Sequence, residues 1–373
     1  MNKALTLLVI LIPFLMSSYS VFSIVYFLRV IADEFKVPLP IVSGVITASF
    51  IGGSIGGLVI GAISDAYGRR IGILASVILF SIFTIIAGYA SNLIELYIIW
   101  FMVGFGVNAE NGISYAVVAE NWSKGRGLMG GFMQGLYFVG LVLGSLTAVL
   151  TGNWTKMALT TGLVSMIVSI PSALLIPETI RRRSIRNISY SNLFKGRYLK
   201  ITLWGTVLVA SAFLYTIPLV SLAPTYMHAL NAPGSMVILL PVLGIASFML
   251  AGLLSDKYGR GIVEVAMGAL ASVTGLLTMV LALLHYPGIL ITLISLDYFS
   301  TGIFAYLGVW LSELYPTEVR ATGSNFTFTL GRILGGFGPL IVTLISSNLG
   351  FSMGVVLATC GVLVSLSALR LMT

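Results

Sequence analysis

Apolar runs recur along this chain between short polar breaks, each about 20 residues long and able to cross a hydrocarbon core of roughly 30 Å. The pattern predicts spans near 6–28, 41–63, 71–90, 94–118, 128–150 and 157–176. A second set falls near 200–226, 235–254, 262–284, 288–312, 322–346 and 350–370. Every backbone group in lipid must find its partner internally, which favours helices. Membrane barrels would show short alternating segments instead. Lys3 ahead of an apolar run could signal a secretory leader. That run is too long for one and lacks a small-residue cleavage site, so it is read as the first helix.

Composition agrees with lipid as the solvent. Hydrophobic residues make up 58% of the 373 and charged residues 9%, and mean hydropathy is +1.04. A soluble domain carries roughly 25% charged residues. The expected class is therefore an all-α integral membrane protein with about twelve transmembrane helices, embedded in a lipid bilayer. Cys360, alone among apolar neighbours, reads as a small core residue. No disulfide framework, metal cluster or cofactor motif is read, and without a Walker loop ATP hydrolysis by that route is excluded. An enzyme is not expected.

The net charge of +8 is a topology signal and does not point to nucleic acid. With the N-terminus inside, the cytoplasmic side carries Lys3, Arg69, Arg70, Lys124, Arg126, Arg181, Arg182, Arg183, Arg186, Lys195, Arg197, Lys200, Lys257, Arg260, Arg320 and Arg370. Those are 16 of the 20 basic residues. Arg29, Lys36 and Lys156 fall outside, and Arg332 is embedded. This positive-inside bias places both termini in the cytoplasm of a multi-pass protein of the cell membrane.

The chain also repeats itself. Gly61-Ala-Ile-Ser-Asp65-Ala-Tyr67-Gly68-Arg69-Arg70 follows the second span, and Gly252-Leu-Leu-Ser-Asp256-Lys-Tyr258-Gly259-Arg260-Gly261 follows the eighth. Glu120 with Arg126 after the fourth span recurs as Glu313 with Arg320 after the tenth. Two features in the same order and phase indicate a duplicated six-helix unit, a common plan among secondary transporters. The expected organisation is two bundles, 1–176 and 200–373, joined by a basic cytoplasmic linker at 177–199. A lipid-headgroup patch is the other reading of that linker.

An Asp at the C-terminal end of a helix sits badly against the helix dipole and should have another partner. The nearby arginines or a neighbouring helix N-terminus would serve. Asp65 and Asp256 with their glycines and arginines would then form a latch that holds one arrangement of two bundles. The segment resembles the signature loop of the major facilitator superfamily, with Gly252–Gly261 as its second-half copy. Ser312-Glu313-Leu314-Tyr315-Pro316 through Gly323 and Pro177-Glu178-Thr179 resemble sugar porters and related organic-acid/proton symporters. Gly104-Phe-Gly106-Val-Asn108-Ala-Glu110 resembles the fourth-helix pattern of organic-acid and phosphate symporters. Gly331-Arg332 to Pro339 resembles aromatic-acid symporters. The resemblance implies two pseudo-symmetric six-helix bundles, with helices 1, 4, 7 and 10 lining a central cavity. It also implies a latch of Gly61, Asp65, Gly68, Arg69, Arg70, Glu120, Arg126, Gly252, Asp256, Gly259, Arg260, Glu313 and Arg320.

An ionisable group in the bilayer costs roughly 2.5–3.5 kcal/mol on insertion scales. Glu110, Asp297 and Arg332 stand well inside their spans, about 12, 13 and 15 Å from a helix end at the α-helical rise. Asp297 and Arg332 lie on consecutive helices of one half and are expected to pair. That leaves Glu110 as the carrier of a coupled proton and Asp297 as the next candidate. Arg332 is the candidate for a substrate anion, with Asn108, Asn111, Gln134, Tyr137 and Tyr298 as further substrate contacts. Tyr115, Tyr215 and Tyr306 belong to the same polar and aromatic set, which also serves helix packing. Glu264 and Glu95, near helix ends, are read as solvated. Arg29 is read as snorkelling to the interface, and His228 and His285 as exposed in outer loops.

These residues are expected to serve proton-coupled symport of a small organic solute, a carboxylate or a sugar-like compound, by a monomer. An uncoupled uniporter of the same fold is the alternative. A receptor that has lost transport comes from a different class, and a flux assay separates it from both.

Overall fold

A computed structural model describes the backbone of residues 3–121, 126–176, 193–315 and 320–373. The side chains of 3–7, 65, 115–121, 126–128, 197 and 320–322 lie outside that description. Among the described residues every regular element is helical, and twelve segments are long and apolar enough to cross a membrane. The first span is α1 (Lys3–Val21), a 3-10 turn (Ser23–Tyr26) and α2 (Leu28–Glu34). Spans two to six are α3 (Leu39–Tyr67), α4 (Arg69–Ala87), α5 (Leu93–Asn121), α6 (Arg126–Thr151) and α7 (Trp154–Leu174). Spans seven to nine are α8 (Gly196–Ala229), α9 (Ser235–Tyr258) and α10 (Arg260–Leu284). The tenth is α11 (Pro287–Ser300), a 3-10 turn (Thr301–Phe304) and α12 (Leu307–Leu314). The eleventh is α13 (Arg320–Gly335) with α14 (Gly338–Ile345), and the twelfth is α15 (Leu349–Met372).

Three spans are broken where continuous helices were expected, each for a local reason. In the first, Phe22-Ser-Ile-Val-Tyr-Phe27 is a run of β-branched and aromatic residues with weak helix propensity. In the tenth, the Ser300 and Thr301 hydroxyls bond back to the carbonyls of Leu296 (3.0 Å) and Tyr298 (2.6 Å), which bends a helix. In the eleventh, Gly335 and Gly336 precede Pro339, which has no N–H to continue the ladder.

Contacts divide the chain into two compact units, Met1–Lys124 with Leu136–Ile185, and Gly125–Gly135 with Arg186–Thr373. In the first unit α5 packs on α3 and α4, and α7 on α4 and α1. At the α3–α5 crossing a Cβ on Gly104 would collide with the Ser49 carbonyl, so the backbones touch. Such small-residue contacts take the place of a hydrophobic driving force in lipid. In the second unit α10 packs along α15, and α8 against α13 and α15. Large apolar side chains such as Leu150, Val149 and Ile94 are exposed, as lipid-facing positions should be.

The repeated loop has the same backbone in both copies. Gly68 (φ 116°, ψ 152°) ends α3 and starts α4, and Gly259 (φ 94°, ψ 145°) joins α9 to α10 in the same way. This region is open essentially to glycine alone. The Gly68 N–H donates to the Ser64 carbonyl (2.9 Å) and the Gly259 N–H to the Ser255 carbonyl (3.1 Å). The sequence repeat is therefore also a repeat of geometry.

Candidate functional site

In the first unit a buried polar cluster joins α1, α5 and α6. Glu110 is 0% exposed. One of its carboxyl oxygens accepts a bond from the Ser114 hydroxyl one turn later, and the other has no hydrogen-bond partner. Next to it the Asn111 carboxamide accepts from Ser17 (3.1 Å) and donates to the Tyr137 hydroxyl. The Tyr137 ring stands edge-on to Phe14 and Phe22, with centroids 5.2 and 6.2 Å away. The Tyr137 carbonyl accepts from Ser18 (2.6 Å). Asn108 is half-buried with its amide against Gly53. Gln134 is half-buried in the stretch of α6 that groups with the second unit. Glu110, Asn111 and Tyr137 are thus brought together.

In the second unit Asp297 is 0% exposed and held by hydroxyls. Thr278 donates to its carboxylate (3.0 Å). Tyr215 donates to its backbone carbonyl (3.0 Å) and lies 3.5 Å from its carboxylate. Asp297 and Arg332 form no ion pair, contrary to expectation. Asp297 faces the hydroxyls of α8 and α10, whereas the Arg332 guanidinium stacks 5.5 Å from the Phe213 ring centroid and 5.3 Å from that of Phe328. Phe213, Phe304 and Phe328 make three mutual edge-on contacts, with centroids 4.7, 5.6 and 6.0 Å apart. A half-buried guanidinium therefore stands on an aromatic cluster that sequence reasoning missed. The signal was Phe328 one turn before Arg332. Tyr298 is 2% exposed, in the wall of the bundle.

Of the residues expected to form the latch, those of the second copy are described apart from the Arg320 side chain. Arg260 donates through Nη1 to Asp256 (2.7 Å) and Ser255 (2.7 Å). Through Nε and Nη2 it grips both Glu313 carboxylate oxygens (3.2 and 3.3 Å), the fork geometry that suits arginine. Its guanidinium lies 5.7 Å from the Tyr306 ring centroid. Gly252 is buried and its carbonyl accepts from Ser255 (2.8 Å). In the first copy Gly61 has open space beside it, and Arg70 donates to the Ile176 carbonyl (3.0 Å). Arg69 is half-buried at the start of α4. The side chains of Asp65, Glu120, Arg126 and Arg320 lie outside the described residues.

Glu264 overturns its reading as a solvated residue. It is 0% exposed, one turn into α10, beside Tyr306. Proximity to a helix end misled, because α15 packs along α10 to its terminus, with Gly261 against Met372. Glu95, by contrast, is exposed as expected and bonded by Ser91 and Asn92. Three buried carboxyls, Glu110, Glu264 and Asp297, thus stand in membrane spans without an ion pair to a described residue.

Twelve apolar helices, a duplicated glycine–arginine loop and buried carboxyls at membrane depth define a multi-pass transport protein. The Major Facilitator Superfamily profile matches residues 8–339, and the chain belongs to that family. It is a transporter of small solutes and not an enzyme. It is 28% identical over 326 residues to a "Probable 4-methylmuconolactone transporter" of Cupriavidus pinatubonensis, covering 82% of this chain and 75% of that one. It is 24% identical to the "Sialic acid transporter NanX" of Escherichia coli (84% and 80% covered). It is also 24% identical to the "4-hydroxybenzoate transporter PcaK" of Acinetobacter baylyi (87% and 80% covered). A solved bacterial homolog of the human lysosomal transporter Spinster, in an inward-facing and unoccupied conformation, superposes with a TM-score of 0.73. It covers 100% of this chain and 98% of that one, at 14% identity, and shares the fold.

Proposed function

We propose that this transporter carries a small organic carboxylate together with a proton. The observation that carries the reading is Arg332 on its aromatic cluster. Ring faces on two sides hold the guanidinium in a fixed orientation, and its planar fork matches the geometry of a carboxylate. The rings beside it suit an apolar or aromatic body. The relatives named for sialic acid and 4-hydroxybenzoate support an acid as the solute. Asn108, Asn111, Tyr137, Gln134 and Tyr298 remain candidate contacts for the rest of the molecule.

Glu110 is the first choice for the proton. An ionised carboxylate without a cation in an apolar interior is costly, and only one of its oxygens is hydrogen-bonded. Asp297, whose carboxylate accepts from Thr278 with the Tyr215 hydroxyl 3.5 Å from its other oxygen, is the second. Burial of both without Arg332 removes the reason for treating Asp297 as permanently ionised. The halves 1–176 and 200–373, joined by 177–199, would alternate access as a monomer in the cell membrane. The distribution of basic residues supports cytoplasmic termini.

Proteoliposome uptake of labelled 4-hydroxybenzoate, sialic acid and myo-inositol under an imposed pH gradient tests the reading. The acids should accumulate, collapse of the gradient by a protonophore should abolish accumulation, and Glu110→Gln should keep exchange while losing accumulation. Uptake of the polyol alone would overturn the carboxylate reading. Accumulation by Glu110→Gln that still follows the gradient would move the proton to Asp297. Uptake that ignores the protonophore would favour a uniporter, and no flux of any kind would favour a receptor.

A further inference from the structure

The hydrogen bonds around Glu264 do not fit a static role. Tyr306 has one hydroxyl proton, and it goes to the Arg260 carbonyl (3.1 Å). Neither Glu264 oxygen meets a donor, although that hydroxyl is bonded at the turn of α10 that leads from Arg260 to Glu264. The Tyr306 oxygen still has acceptor capacity. Both Glu264 oxygens thus stand buried and unbonded, while the proton of the nearby tyrosine is committed to the carbonyl one turn earlier on the same helix. A buried polar group left without a partner calls for an explanation, and a protonated carboxyl supplies it.

We propose that Glu264 binds a proton that sets the state of the Arg260 latch. Among the described residues Arg260 is the cation on the same helix, one turn or about 6 Å along α10. It shares with Glu264 the same tyrosine, whose ring lies under the guanidinium and whose hydroxyl holds the Arg260 carbonyl. Loss of the Glu264 proton to water leaves a buried carboxylate. The Tyr306 hydroxyl then rotates to donate to it and releases the Arg260 carbonyl. The Arg260 guanidinium is drawn inward, away from the Glu313 carboxylate that it grips in the protonated state.

Other charged groups on the neighbouring elements are few. From α9, Asp256 already bonds Arg260, and Lys257 stands over the Tyr258 ring. The tenth span brings Tyr306, Glu313 and, farther along, Asp297. From α15 the one charged side chain is the exposed Arg370, placed over Trp204. No described cation competes with Arg260 for Glu264. The proposal does not depend on the identity of the solute or on proton-coupled uptake.

The test is a distance measurement without any solute. Nitroxides at Lys257→Cys and Ser312→Cys, in a Cys360→Ser background, report on the latch ends of α9 and α12 in lipid nanodiscs. In the otherwise unaltered chain the distance distribution should shift as pH rises. Glu264→Gln, which cannot ionise, should hold the acidic-pH distribution at every pH. Glu264→Asp should keep the shift with a displaced midpoint. Tyr306→Phe, which keeps the ring and removes the relay hydroxyl, should lose the shift, and it carries the test if the glutamine variant fails to fold. The proposal is overturned if Glu264→Gln or Tyr306→Phe shifts with pH as the parent does, or if the parent does not shift. Failure of proton-driven uptake would leave these distances unaffected, so the two readings fall separately.

Discussion

Replacing Arg260 with glutamine should weaken the latch by a calculable amount. The Arg260 side chain is 13% exposed, Asp256 32% and Glu313 41%. Both acids are thus about a third exposed or more, so each pair belongs near the upper end of surface values, about 0.5–1 kcal/mol. Loss of both contacts removes about 1–2 kcal/mol, a factor of roughly 5–30 in the ratio of two conformations. If the latch favours one conformation, Arg260→Gln should shift the populations of the nitroxide pair at acidic pH by that factor. Arg260→Lys keeps the charge but loses the fork and should fall between. A double-mutant cycle with Glu313→Gln should return a coupling of about 0.5–1 kcal/mol. Unchanged populations in Arg260→Gln, or a coupling of zero, would refute the latch as an energetic element.

Arg332→Gln should weaken binding of 4-hydroxybenzoate by about 10- to 150-fold, the worth of one charge-assisted contact of about 1.5–3 kcal/mol. Calorimetry on the purified protein checks this, and equal affinity in the variant would remove Arg332 from the site. Gly104→Val should lower thermal stability by about 1–3 kcal/mol through overpacking against the Ser49 carbonyl; a thermal melt as high as the parent's would show that the α3–α5 crossing can give way. Single cysteines at Tyr190 and Leu230 should be labelled by an impermeant maleimide from inside and from outside the cell respectively. The reverse pattern would invert the topology.

Membrane spans were legible in the sequence because the requirement is local. A run of apolar residues reaches across lipid whatever its neighbours are, and its backbone is satisfied within the helix. All twelve expected segments correspond to helices. The paired loop was legible for a similar reason: Gly68 and Gly259 adopt a conformation that other residues avoid, so the requirement is written at one position. The environment of Cys360, buried in α15, follows from its apolar neighbours alone.

Partner choice was not legible, because it depends on which helix face meets which. Asp297 and Arg332 are consecutive in span order, yet the faces that carry them point to different groups. Asp297 meets Thr278 and Tyr215, and Arg332 meets Phe213 and Phe328. Spacing along one helix predicts neighbours at one turn, such as Glu110 and Ser114. It does not predict contacts between helices, such as Ser17 with Asn111 or Tyr306 with Arg260. Burial near a helix end is the clearest case. Glu95 and Glu264 occupy similar sequence positions, but Glu264 is buried on a helix that packs along α15, whereas Glu95 is exposed. The sequence alone therefore determined that this chain crosses the membrane twelve times and repeats its glycine–arginine turn. Which acids lie buried, and what stands beside them, was decided by tertiary packing, since a helix has several faces and only its neighbours select among them.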